Sequence, residues 1–137
     1  MEDYVSVLIV DQSIADKGVL TNLGFVLGLT AGRELPSETF GQDVTDGDGS
    51  RHRYLTRIGH FVRKAGQHKM RELRARLAAQ ENVEIVDYTA DAAPVDYQGY
   101  ASNLAAHRGE EISYRALYIF GPKDLVLPLT KNLSRLS

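Results

Sequence analysis

The 137-residue chain contains no cysteine. Disulfides, thiolate metal ligands and a thiol nucleophile are thereby excluded, and a reducing compartment is compatible with the composition. The start, Met1-Glu2-Asp3, lacks the positive charge that a secretory signal needs, which predicts a cytoplasmic protein. Long apolar runs are missing too. The longest apolar helix is interrupted by glycines and is too short to span a bilayer, so no membrane partner is expected. An excess of one charge is absent: the formal net charge is −2, which argues against a dedicated nucleic-acid binder. His52, His60, His68 and His107 show no metal-ligand spacing and read as surface residues. No metal and no cofactor is expected. There is no phosphate-cradling Gly-x-x-x-x-Gly-Lys loop, no recognisable Ser-His-Asp arrangement, no internal repeat and no low-complexity segment.

What remains is 43% hydrophobic and 25% charged, the balance of an ordinary globular protein. Its length suits a single α/β domain over residues 1–137 with one real core. Residues 5–32 organise the chain. Val5-Ser6-Val7-Leu8-Ile9-Val10 is an almost continuous apolar run, as in an interior strand covered on both faces. A polar loop, Asp11 to Gly18, leads to a helix from Val19 to Gly32. That helix is apolar nearly all round, which predicts cover on several sides. Gly24, Gly28 and Gly32 share one of its faces. Each costs roughly 0.5–1 kcal/mol relative to Ala, so another backbone is expected close against them. On that reading Gly28→Leu would overpack the site and destabilise the fold.

Further along, a short strand is expected within Glu38–Thr45, a hairpin turn at Asp46–Ser50, and a returning strand over His52–Ile58. The Asp-Gly-Asp-Gly of that turn is not a calcium loop, because the first and twelfth positions would be Val44 and Leu55. A strand over Phe61–Ala65 precedes a helix over Gln67–Gln80 with Met70, Leu73 and Leu77 on one face. Val83–Val86 is a strand stopped at Asp87. Asp91–Asp96, with Pro94, is a loop, and Asp96 caps a helix through Tyr97, Tyr100, Leu104 and Ala105. Ser113–Phe120 is a second apolar strand, and a last helix runs from Lys123 towards Lys131, disturbed by Pro128. The alternation predicts a three-layer α/β/α domain. The 5–10 and 115–120 runs should be neighbouring interior strands, since neither suits an exposed edge. Ligands in open α/β sheets bind beyond the carboxyl ends of the strands. That edge is expected to gather Asp11–Gly18, Asp87–Thr89 and Gly121-Pro122.

The order of these motifs resembles a known family. The first strand, Gly18 to Asn22, Val26-Leu27-Gly28-Leu29, the Tyr97/Tyr100 helix and Tyr118-Ile119-Phe120-Gly121-Pro122 are similar to an uncharacterised bacterial domain-of-unknown-function family (number 2000). The resemblance covers nearly the whole chain and implies a mixed sheet with a type-2 peptidyl-tRNA hydrolase-like fold, and a homodimer. Asp87-Tyr88-Thr89 resembles the Asp motif of those hydrolases, and Gly121-Pro122 with Leu129-Thr130-Lys131 resembles their carboxyl-terminal part. Two departures stand out. Val19 follows Gly18 where the hydrolases carry an essential lysine, leaving Lys17 as the nearby one, and Tyr88-Thr89 replaces their Ala-Gly. The fold carries over; the hydrolase activity does not follow.

The candidate ligand-binding residues are Lys17, Gly18, Thr21, Asn22, Asp87 and Thr89, with Lys17 and Asp87 as the catalytic candidates. Free N–H groups at a helix start attract anions, and a carboxylate at a strand end can act as a base. Equally, Thr21 and Asn22 can satisfy local backbone, and Asp87 can form a turn. The reading preferred is a small-molecule-binding α/β protein without hydrolase activity. The alternatives are a peptidyl-tRNA hydrolase-like esterase and a self-associating module. Residues 51–76 carry nine Lys/Arg and one acid, Glu72. These charges spread round their elements, so tRNA binding is not expected.

Overall fold

The computed structural model describes residues 3–92 and 96–136. The acidic start at Met1-Glu2 and the expected loop proline, Pro94, lie outside them. Strand β1 (Tyr4–Asp11) leads through a tight turn into helix α1 (Lys17–Gly32). The helix starts two residues earlier than its apolar pattern suggests. Asp16 is the cause: its carboxylate accepts from the Val19 N–H at 2.9 Å and defines the cap.

The excursion that follows is less regular than predicted. A 3-10 turn (Ser37–Thr39) takes the place of the first half of the expected strand. β2 (Val44–Thr45) and β3 (Arg51–His52) pair as a two-residue ladder, and Phe40 and Thr56 form an isolated antiparallel bridge. The hairpin turn is where it was expected. Asp46 accepts from the N–H groups of Asp48 and Ser50 and meets His52 Nε2 at 2.8 Å. The bond to His52 and those backbone donors hold the Asp46 carboxyl below its usual range. Gly49 closes the turn at φ 86°, a conformation that side chains disfavour.

The chain then forms β4 (Gly59–Ala65), α2 (Gln67–Ala78), β5 (Glu84–Thr89), α3 (Tyr97–Ala105), β6 (Tyr114–Pro122), α4 (Lys123–Thr130) and a short β7 (Ser134–Arg135). Asp96 caps α3 by accepting from the Gly99 N–H at 2.8 Å, as its sequence position predicts. β5 does not stop at Asp87; it runs to Thr89, bulging after Tyr88.

Five strands form one mixed sheet in the order β5-β6-β1-β4-β7. β1 and β6 are neighbours and both are interior, as their apolar sequences require. β4 pairs with β1 in parallel, while β6 runs antiparallel to β1 and to β5. Alternation along β1 divides the core. Val5, Val7 and Ile9 face α2 and α4, packing with Met70, Leu73, Leu77 and Val126. Val10 faces α1, with Leu23, Leu27, Ala31, Ala116, Tyr118 and Phe120. The domain therefore has three layers.

The antiparallel direction of β6 corrects one expectation. Tyr4 pairs with Pro122 and Val5 with Gly121, so Gly121-Pro122 lies beside the amino end of β1, away from Asp11. A parallel β6 would have brought it to the carboxyl edge; the short path from β6 into α4 carries no such requirement. Glycine is needed there for space. A Cβ at Gly121 would lie 3.0 Å from Val126 Cγ2 and 3.0 Å from Val83 Cγ2. Gly121→Val is expected to destabilise by about 1–3 kcal/mol through overpacking. Thermal denaturation would reveal it, and an unchanged melting temperature would contradict it.

Candidate functional site

The residues singled out from the sequence do not meet. Lys17 and Gly18 open α1 and are exposed, as are Thr21 and Asn22. Thr21 Oγ1 donates to the Lys17 carbonyl at 2.7 Å, so it satisfies local backbone. Asp16 caps this helix start, and its negative charge opposes an incoming anion. Asp87 projects to the other face of the sheet, where Arg74 Nε of α2 donates to its carboxylate at 2.8 Å. That guanidinium also lies 5.9 Å from the centre of the Tyr114 ring. Thr89 is buried, beside the Tyr100 phenol, whose pKa is raised by burial and then by the Asp87 charge. The sheet thus separates the Lys17 group from Asp87.

The carboxyl edge between these groups is closed by Gln67, the first residue of α2. Its Nε2 donates to the Tyr114 carbonyl at 2.7 Å and to Asp11 Oδ2 at 3.2 Å. Its Oε1 accepts from the Tyr114 N–H at 2.7 Å. One side chain thereby satisfies the mouth of the sheet, where the fold class alone would place a ligand.

A different candidate site lies under the glycine stripe. A Cβ at Gly28 or Gly32 would have no atom within 4 Å, and one at Gly24 would lie 3.3 Å from Leu8 Cδ2. No second backbone packs there. The three glycines instead roof a cavity of about 250 Å3 between α1, the sheet and the 35–60 segment, with Leu8, Leu35 and Phe40 as apolar walls. The expectation of cover on several sides fails for the same helix: Leu23, Leu27 and Ala31 are buried, whereas Phe25 is 64% and Leu29 69% exposed.

Ser6, His60 and Thr56 of this cavity form one connected chain. Ser6, 2% exposed, is the single polar residue of the run 5–10, and an apolar surrounding makes an unpaired hydroxyl costly. Parallel pairing sets Ser6 directly beside His60 of β4. Ser6 Oγ hydrogen-bonds His60 Nδ1, and His60 Nε2 hydrogen-bonds Thr56 Oγ1. Tyr118 of β6 lines the same cavity, and burial pushes its pKa up. Burial pushes the His60 pKa down, so its ring is neutral at pH 7. In the Nε2–H tautomer both bonds are satisfied: Ser6 donates to His60 Nδ1, and His60 Nε2 donates to Thr56. His60 is exposed, as expected of a surface histidine, with Nδ1 turned to the buried Ser6 and Nε2 bonded to Thr56 at the surface. Among the described residues no charged carboxylate or guanidinium lines the cavity.

Sequence reasoning missed Ser6, Thr56, His60 and Tyr118. The available signal was Ser6 itself, together with the glycine stripe. Its pairing with His60 spans 54 residues and exists only in the assembled sheet. A second, wider concavity of about 540 Å3 runs along the free side of β5 and includes Asp87, Tyr97 and Tyr100. Its carboxylate is already held by Arg74. Among the described residues no group of three or more His, Asp or Glu is placed to hold a metal ion, and no helix is long and apolar enough to cross a membrane.

These features define an α/β protein with a mixed five-stranded sheet and an uncharged cavity on one face. Residues 6–136 match the family model described as "Protein of unknown function (DUF2000)", and the chain belongs to that family. The solved structure of Atu0240, a protein of unknown function from Agrobacterium tumefaciens strain C58, has the same fold, with a TM-score of 0.78 over 100% of both chains at 16% identity. None of the curated proteins matches the chain.

Proposed function

We propose that the protein binds a small, uncharged, mostly apolar molecule in the cavity beneath the glycine stripe. The observation that carries this reading is the empty space opposite Gly28 and Gly32, which the fold maintains at the helix-propensity cost of three glycines. A concave apolar pocket with a few convergent polar groups is the usual form of a ligand site. Ser6, His60 and Tyr118 supply those groups here. The ligand site moves, on this reading, from the carboxyl edge to the α1 face. The test is a screen of neutral fragments followed by methyl-resolved NMR. Hits are expected to shift the Leu8 and Leu35 methyl signals. Hits that shift only residues around Lys17 or Tyr100 would overturn the assignment.

The relation of the fold to the type-2 peptidyl-tRNA hydrolases remains part of this proposal, without their activity. Lys17 and Asp87 lie on opposite sides of the sheet, and several cations of the basic segment are already paired: Arg51 and Arg53 with Asp43, Lys69 with Glu72, Arg74 with Asp87. No submicromolar tRNA binding is expected at physiological salt. Anisotropy titration with tRNA would contradict this by giving tight binding that weakens steeply as salt rises.

Self-association is a second reading, favoured by the exposed Phe25 and Leu29 on α1. Apolar side chains of this size left in solvent mark interaction surfaces when they cluster. A homodimer is expected by sedimentation at micromolar concentration, dissociated by Phe25→Glu with Leu29→Glu. A wild-type monomer would refute it.

A further inference from the structure

We propose that Ser6 is a nucleophile and His60 its general base, and that the cavity hydrolyses small neutral carboxylic esters. This rests on the cavity being a ligand site, and adds chemistry to it. The diagnostic arrangement for an activated serine is a hydroxyl within hydrogen-bond reach of a base that a third group orients. Ser6, His60 and Thr56 stand in that relation, in a single connected chain. In the tautomer with Nε2 protonated and donating to Thr56, Nδ1 is free to accept the Ser6 proton. A neutral imidazole is required for that role, and burial of His60 favours it.

The substrate class follows from the walls. Apolar Leu8, Leu35 and Phe40 and three glycines line the space, and among the described residues no charged carboxylate or guanidinium lines it. A charged substrate would lose its hydration without gaining a partner. About 250 Å3 is below the ~300–1,000 Å3 of sites for drug-sized ligands, so the acyl and alkoxy groups must be short. An RNA ester does not fit.

The chemistry balances on the residues present and water. Ser6 Oγ forms a bond to the carbonyl carbon as its proton passes to His60 Nδ1. Electrons move onto the carbonyl oxygen. Ser6 sits between two paired strands, with neighbours on both sides, so strand N–H groups are committed to the sheet. The donor for the oxyanion is the Tyr118 phenol, which lines the same cavity as Ser6, which burial keeps protonated and which can donate to the developing charge. The carbon–alkoxy bond then breaks and His60 returns its proton to the leaving alcohol. Water attacks the acyl-serine, gives its proton to His60, and Ser6 recovers a proton as the carboxylic acid departs.

The test uses the full chain with p-nitrophenyl butyrate and, separately, a fluorophosphonate probe. Hydrolysis is expected to fall at least about 100-fold in Ser6→Ala and in His60→Gln, in line with loss of a nucleophile or general base. The probe is expected to add one phosphonyl mass, mapped by peptide sequencing to Ser6. Labelling of the wild type does not depend on any variant folding. Turnover unchanged in Ser6→Ala, turnover no faster than free imidazole, or a label on another residue would each overturn the proposal. A parallel NMR titration with benzyl alcohol separates the two readings. Shifts at Leu8 and Leu35 without ester turnover would retain the cavity as a binding site and reject the catalysis. Absence of both would reject the two together.

Discussion

Leu117→Ala is expected to lower the free energy of unfolding by about 2–5 kcal/mol, the range for emptying a well-packed leucine site. Leu117 is fully buried in β6 and faces α2 and α4, in one cluster with Ile9, Met70, Leu73 and Val126. It pairs with Ile9 on one side and Asp87 on the other. Both neighbouring strands are fixed by backbone ladders, so the walls cannot close on the space left behind. That places the loss in the upper part of the range. Urea denaturation measures it directly. Phe25→Ala is the control. Phe25 is 64% exposed, and its truncation should cost no more than about 0.5 kcal/mol in the single chain. A Leu117→Ala loss below about 1 kcal/mol would mean that β6 is not the centre of the core.

Gly28→Leu is expected to reverse the effect that the helix sequence suggests. A glycine stripe commonly implies close packing, and a leucine there would then clash. The structure leaves open space opposite Gly28. A leucine recovers roughly 0.8–1 kcal/mol of helix propensity and buries its methyl groups beside Leu8, Leu35 and Phe40. The melting temperature should hold or rise. Binding of any neutral ligand found for the cavity should weaken at least about 100-fold, close to 2.8 kcal/mol at 1.4 kcal/mol per decade. Calorimetric titration and a thermal melt on the same preparation test both halves. A stable variant that still binds with wild-type affinity would show that the ligand sits elsewhere. A strongly destabilised variant would restore the close-packing explanation.

Much of the architecture was legible from local chemistry. The apolar runs at 5–10 and 115–120 could only be interior strands, because either one at an edge would expose its backbone and side chains together. Met70, Leu73 and Leu77 recur at helical spacing, and all three are buried in α2. Asp46 and Asp96 announced a turn and a cap, because their short carboxylates reach nearby N–H groups wherever the chain is placed. Family membership was likewise carried by the order of motifs along the chain.

The proposed site was not legible, because it is made by register and direction. Gly121-Pro122 has the same sequence whether β6 runs up or down, and only its antiparallel pairing moves it away from Asp11. Asp87 reads as a strand end until β5 is seen to continue through it, with Arg74 of α2 satisfying its charge. A glycine stripe specifies a helix face without Cβ atoms; whether a backbone or a void lies opposite depends on what folds over it. Ser6 was a lone polar residue in an apolar strand, and its sequence neighbours offer it no partner. The sequence determined that its hydroxyl would be buried. The parallel pairing of β1 with β4 decided that His60 would meet it there, and the antiparallel pairing with β6 brought Tyr118 into the same cavity. Hydrogen bonds between distant residues depend on strand register, and no local propensity encodes register when its partner strand lies some fifty residues away.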